Sequence, residues 1–126
     1  MKIVTREWRQ KADRDYEAAQ WDMQKPGVPN YDDVCFHCQQ CVEKLMKAVL
    51  TERDSLFPKT HDLETLAALV VVVAPEWNYD LDDLKTLAPG AVQYRYPGWD
   101  ASAQEAIDAL AACGRLRASL AALLPQ

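Results

Sequence analysis

The stretch that decides the fold is residues 31–50, which read YDDVCFHCQQCVEKLMKAVL. Apolar residues recur in it at intervals of three and four, the spacing that places side chains on one face of an α-helix. This stripe consists of Val34, Cys38, Cys41, Leu45, Ala48 and Val49. Asn30 can cap the first turn, since its side chain can accept a hydrogen bond from a free backbone N–H. The pattern predicts an amphipathic helix from Tyr31 to about Arg53.

Similar helical patterns lie on both sides of this stretch, separated by Pro and Gly. They cover about residues 5–24, 62–73, 80–87 and a last segment that begins with Ser102-Ala-Gln-Glu105, a capping-box sequence. The expected apolar stripe of the last segment is Ala103, Ile107, Leu110, Cys113, Arg117 and Leu120. The valines 70–73 favour a strand locally, but a single strand would have no partner, so we expect them to end a helix. The sequence predicts an all-α fold, an antiparallel up-and-down bundle of four to five helices, with residues 1–126 forming a single domain.

Size and charge exclude several classes of function. The chain has 126 residues and a net charge of −5, with 26% charged residues, as expected for one globular domain. An acidic chain lacks the broad positive surface that binds duplex DNA, so no duplex DNA partner is expected. No apolar run reaches the ~18 residues of a membrane span, and no signal-peptide core is visible. We therefore expect a cytoplasmic protein with no membrane partner and with reduced cysteines.

Cys35, Cys38 and Cys41 form a Cys-x-x-Cys-x-x-Cys motif that includes His37. Thiolate and imidazole ligands suit zinc, and thiolates suit iron–sulfur clusters. On a continuous helix, however, positions 35 and 41 point about 120° apart. Cys38 and Cys41 also belong to the apolar stripe, where thiols act as small hydrophobic side chains. We therefore predict no metal here; a partial metal site of His37 and Cys41 is the alternative interpretation.

A row of polar residues follows another side of the same helix. His37, Gln40, Lys44 and Lys47 are three or four residues apart, so they share a side away from the apolar stripe. Together with the cations that follow in the chain they can line one positive concavity; these are Arg53, Lys59, His61 and Arg95. A solvated surface is the alternative interpretation. The chain has no glycine-rich phosphate loop and no nucleophile elbow, and no cofactor is predicted.

Three segments, in this order, resemble the HEPN family (higher eukaryotes and prokaryotes nucleotide-binding domain). They are FHCQQCVEKLMKA at 36–48, KTHDL at 59–63 and YRYPG at 94–98. In that family the first of these segments typically resembles Phe-His-Ala-Gln-Gln-Ala-Ala-Glu-Lys-x-Leu-Lys-Ala. The second resembles Thr-His-Asp-Leu, and the third resembles Arg-Tyr-Pro. The resemblance implies an up-and-down bundle of four to five helices that forms a homodimer. It also implies a small nucleotidyltransferase as partner, in a toxin–antitoxin-like pair.

The matched positions define a candidate binding face for a nucleotide or for RNA. Its residues are His37, Gln40, Lys44, His61, Arg95 and Tyr96. Lysine and arginine neutralise phosphate, and a tyrosine ring can stack on a base. The resemblance therefore implies a nucleotide-binding and partner module.

The sequence departs from the family at the Arg-x(4–6)-His motif of its ribonucleases. No arginine lies at that distance before His37, and seven residues separate Arg53 from His61. We therefore do not expect this chain to share the ribonuclease activity of those family members. One alternative is a divergent metal-independent ribonuclease, with His61 as general base and Arg53 or Arg95 stabilising the developing charge. The other alternative is a purely structural interaction bundle.

Overall fold

The computed structural model describes all residues, Met1–Gln126, and all of its regular elements are helices. They are α1 (Ile3–Gln24), α2 (Tyr31–Glu52), α3 (Leu63–Val73), α4 (Leu81–Leu87) and α5 (Ala103–Ala121). Two short 3₁₀ turns, Ala88–Ala91 and Gln93–Arg95, connect α4 to the segment before α5. The predicted all-α bundle of four to five helices is confirmed. No helix combines the length and the apolar character needed to cross a lipid bilayer.

Helix α2 is the centre of the bundle and packs against α1, α3 and α5. Its predicted stripe is fully buried, and so are Val42, Met46 and Leu50, which close the core on its other flank. Contacts at both ends show that α1 and α2 are antiparallel. The backbone N–H of Lys2 donates to Glu52 at one end, and that of Asn30 donates to Asp22 at the other.

Side-chain caps set where the helices begin. Asn30 Oδ1 accepts from the backbone N–H of Asp33 at 3.2 Å, which starts α2 as predicted. Asp62 caps α3 in the same way, so His61 lies just outside that helix. Ser102 and Glu105 form the reciprocal capping box predicted for α5. These local hydrogen bonds fix the helix starts within a residue or two of the predicted positions.

The four valines end α3 as helix, and Val70 is fully buried. Val71 and Val72 are exposed, and Val73 is half-buried. The packing of one face of α3 is thus enough to outweigh the β-propensity of the run, because propensity is weak compared with tertiary packing.

The predicted stripe of α5 is partly wrong. Leu120 and Cys113 are buried as expected, but Ala103 is exposed and Ile107 is 49% exposed. The buried face is instead formed by Ala106, Ala109, Ala112, Cys113, Leu116 and Leu120. Alanines occupy almost every side of this helix, so the apolar pattern defines its orientation poorly.

Gly90 marks a close approach between the turn after α4 and helix α2. A Cβ at this position would lie 2.8 Å from the carbonyl carbon of Cys35 and closer still to its oxygen. The turn therefore lies against the α2 backbone only because residue 90 has no side chain.

We expect Gly90→Ala to lower the free energy of unfolding by about 1–3 kcal/mol, because the new methyl group overlaps a backbone carbonyl that cannot move without displacing α2. Urea denaturation measures the change. The matched control is Gly114→Ala inside α5, where the added Cβ meets only the Tyr16 hydroxyl at 3.5 Å. Alanine should stabilise that helical position by about 0.5–1 kcal/mol. Equal effects at the two glycines would contradict the close approach.

Candidate functional site

Two clusters of polar contacts lie along α2, one between α2 and α1 and the other between α2 and the loop before α3, and we call them together the polar seam. At one end of the seam, Asp15 of α1 is 8% exposed and bridges two residues of α2. His37 Nδ1 lies 2.8 Å from Asp15 Oδ1, and Lys44 Nζ donates to Asp15 Oδ2 at 2.6 Å. A buried carboxylate thus joins two predicted site residues and fastens α1 to α2.

Glu43 occupies the other end of the polar seam and is 3% exposed. Its Oε1 lies 2.8 Å from His61 Nδ1, and its Oε2 accepts from Lys47 Nζ at 3.0 Å. Gln39, fully buried beside it, donates its amide to Glu43 and to the His61 carbonyl oxygen, at 3.2 and 3.0 Å. These bonds hold the loop before α3 against α2, and the predicted site residue His61 with it.

Gln40 belongs to the Glu43 end of the seam. Its Nε2 donates to Gln39 Oε1 at 2.8 Å and lies 3.4 Å from Glu43 Oε1. Since His37, Gln40 and Lys44 follow one another along α2 and His61 is bound to that helix through Glu43, four of the six predicted site residues form one row, although no hydrogen bond joins its two ends.

The two imidazoles of the row are held in the same way. A carboxylate can only accept hydrogen bonds, so the proton of each neutral ring lies on Nδ1 and the lone pair lies on Nε2. The exposed fraction of the side chain is 30% for His37 and 66% for His61. Both rings thus combine a fixed orientation with a nitrogen free to contact a ligand.

The Asp15 cluster shifts the pKa values of its members. Burial alone would raise the pKa of Asp15, but the hydrogen bonds from His37 and Lys44 outweigh it and hold the pKa below its ordinary value. The hydrogen bond to Asp15 raises the pKa of His37 against the opposing effect of burial. At neutral pH the imidazole of His37 is therefore more protonated than a free one.

Arg95 and Tyr96 do not join the row. The Arg95 guanidinium lies over the Phe36 ring, 5.1 Å from its centroid, and Phe36 in turn contacts His37 edge to face at 5.4 Å. Arg95 is thus one aromatic ring away from His37, beside a 370 Å³ cavity that Asp32 and Asp33 also line. The side chain of Tyr96 is 64% exposed.

The sequence-based placement of Arg53 in the positive concavity is wrong. Its guanidinium donates to the carbonyl oxygens of Val73, at 2.8 Å, and Leu123, at 3.2 Å, and lies 3.5 Å from Glu76. Arg53 therefore joins the C-terminal ends of α3 and α5, so the structure gives it no part in the candidate site.

The cysteine motif lies in the core. All four thiols are buried and none forms a disulfide. Burial raises the pKa of Cys35 to about 11, and a hydrogen bond with Cys113, followed by burial, raises the pKa of Cys41 far beyond its ordinary value. No group of three or more His, Cys, Asp or Glu side chains is arranged to hold a metal ion. Protonated interior thiols are neither nucleophiles nor good metal ligands.

Sequence reasoning missed the two carboxylates that organise the site. Asp15 lies between Ala12 and Ala19 at helical spacing, on the apolar side of the first helical pattern, where a charge must have a partner once it is buried. That position is a signal that a cation lies opposite. The signal for Glu43 is its match to the glutamate of the family pattern; its burial could not be predicted, because it depends on where the loop before α3 folds.

The raised pKa of His37 makes the stability of the fold depend on pH. The imidazolium–carboxylate contact contributes fully below the ordinary histidine pKa of about 6.5 and is lost as the pH rises through the raised value. The difference in unfolding free energy between the wild type and His37→Gln should therefore shrink as the pH rises. Urea denaturation across a pH series measures it, with Asp15→Asn as a control in which the imidazole has no charged partner. A difference that stays constant across the series would contradict the contact.

Comparison with known proteins identifies the family of this chain. A family model described as the HEPN domain matches residues 5–122. The crystal structure of an archaeal HEPN homologue has a TM-score of 0.65 and 23% sequence identity, over 97% of this chain and 98% of that chain; this likeness shows the fold. The search of curated proteins gives no match. The match over nearly the whole sequence shows that the chain belongs to the HEPN domain family.

Proposed function

We propose that this chain is a nucleotide-binding module that binds the phosphate of its ligand along the polar seam. The row of His37, Gln40, Lys44 and His61 along α2 is the observation that carries the proposal. Membership of the HEPN family supports the ligand class.

The charges of the seam suit a phosphate when the imidazoles are protonated. Asp15 and Glu43 are balanced by Lys44 and Lys47, so each protonated histidine adds one uncompensated positive charge. One of the three N–H donors of Lys44 binds Asp15, and two remain for a ligand. Charge-assisted hydrogen bonds of this kind are the strong ones in phosphate recognition.

The proposed face includes Arg95, at the edge of the row, and Tyr96, its exposed neighbour in the chain. Phe36 lies between the Arg95 guanidinium and the His37 ring. A nucleotide whose phosphate is bound by His37 can therefore extend its base past Phe36 towards Arg95. The planar guanidinium group of arginine and the phenol ring of tyrosine both stack on nucleobases. Either a single nucleotide or a single strand of RNA fits this description.

The proposal includes assembly with other chains: a homodimer that acts beside a small nucleotidyltransferase in a toxin–antitoxin-like pair. The resemblance of the three sequence segments to HEPN proteins of that setting supports it. The sequence offers Trp77 and Trp99 as candidates for an apolar dimer contact. Trp77 is only 6% exposed and donates to Ser119, whereas Trp99 is 55% exposed, so Trp99 is the one of these two that can contact a second chain.

We expect Lys44→Gln to weaken nucleotide binding about tenfold, because one charged hydrogen bond to phosphate is lost. Isothermal calorimetry with ATP and with the four ribonucleoside monophosphates measures it. The control is Lys85→Gln on α4, which removes an exposed lysine that has no ion-pair partner and belongs to neither cluster of the polar seam.

Two results together would refute this function. One is the absence of saturable nucleotide binding by the wild-type chain. The other is a pull-down from the native host that recovers no nucleotidyltransferase.

A second candidate function, metal-independent cleavage of RNA, is favoured by the carboxylate-held imidazoles. With Nδ1 bonded to Glu43, His61 has its basic nitrogen exposed, as a general base requires. Arg53 cannot stabilise the developing charge because it is bound to backbone carbonyls. Lys44 and the protonated His37 are the cations that lie in the row.

If RNA cleavage is the activity, both His61→Ala and His37→Ala should abolish it, whereas Arg95→Ala should retain most of it because Phe36 separates Arg95 from the row. The assay uses single-stranded and transfer RNA in EDTA, with gel electrophoresis as the readout. Intact RNA after prolonged incubation with the wild-type protein would remove this candidate.

A further inference from the structure

The imidazole of His61 is fixed on one side and open on the other. Its Nδ1 lies 2.8 Å from Glu43 Oε1, and the Gln39 amide binds its backbone carbonyl oxygen at 3.0 Å. The side chain is nevertheless 66% exposed. Since Nδ1 is turned towards a buried carboxylate, Nε2 on the opposite edge of the ring faces solvent.

The buried partner sets the chemistry of that exposed nitrogen. Glu43 is 3% exposed, and Lys47 donates to its second oxygen at 3.0 Å, which balances its charge in the protein interior. An ionised Glu43 accepts the Nδ1 proton and leaves the lone pair of the neutral ring on Nε2. A side chain oriented by a neighbouring base in this way is the usual form of an activated nucleophile.

We propose that His61 Nε2 is a phosphoryl acceptor, with an N-phosphorylated compound of the phosphoramidate class as the donor. The Nε2 lone pair attacks phosphorus and forms an N–P bond. The P–N bond of the donor breaks, and its electron pair leaves with the amine, which is already protonated in the donor. The positive charge that the phosphorylated ring acquires stays hydrogen-bonded through Nδ1 to Glu43.

His37 is the internal comparison that makes the inference specific. Its Nδ1 is also held by a carboxylate, but the side chain is only 30% exposed and its ring contacts Phe36. Each carboxylate also binds a lysine, so accessibility is what distinguishes the two rings. His37 is less accessible to a donor, so phosphorylation should favour His61. His61 also belongs to the proposed nucleotide-binding row, but the labelling described next uses no nucleotide, so its result does not depend on whether a nucleotide binds.

The test is to incubate the folded full-length protein with potassium phosphoramidate in mildly alkaline buffer. Intact-mass spectrometry should show one phosphoryl group per chain, labile in acid, and fragmentation by electron transfer should place it on His61. We expect the label to disappear in His61→Gln and to persist in His37→Gln. Glu43→Gln should slow labelling about tenfold, because a neutral amide no longer stabilises the charged product.

The linkage isomer in the wild-type protein gives an independent readout. Phosphorus and nitrogen NMR distinguish Nε2-linked from Nδ1-linked phosphohistidine, and only the Nε2 isomer agrees with the geometry. Equal labelling rates at the two histidines would overturn the inference, as would the Nδ1 isomer. If Glu43→Gln does not fold, as judged by circular dichroism, the isomer and the two histidine variants still decide.

Discussion

The buried carboxylate of Glu43 is the constraint on which the candidate site depends. A charge that is 3% exposed is tolerated only when it is paired and hydrogen-bonded. Lys47 supplies the charge, and Gln39 and His61 supply the remaining donors. Because His61 lies outside α3, this contact connects a loop to the most buried helix of the bundle. The position of the loop follows from the need to satisfy the carboxylate.

Most of the fold could be predicted because its signals are local. The stripe of α2 is uninterrupted, and the caps at Asn30, Asp62 and Ser102 are hydrogen bonds between residues close in sequence. The orientation of α5 could not be read as well, since its alanines bury equally well on several sides. What decides that orientation is the packing partner, and a single helix does not contain this information.

In the candidate site, too, local relations could be predicted and long-range contacts could not. His37, Gln40 and Lys44 are on one helix, so their spacing alone places them together. Arg53 and Arg95 belong to loops and turns, and the groups they contact, carbonyl oxygens at two helix ends and the Phe36 ring, are far away in sequence. The sequence identifies Arg53 and Arg95 only as cations that a ligand could use. In the fold, Arg53 instead binds the ends of two helices.

The contacts of Arg53 also bear on how the bundle opens. Arg53 follows the last residue of α2, and its guanidinium binds carbonyl oxygens at the C-terminal ends of α3 and α5. Three helix C-termini, each carrying the negative end of a dipole, thus meet at one positive charge. One side chain therefore connects helix ends that have no hydrogen bond to one another, and it couples the local opening of α3 to that of α5.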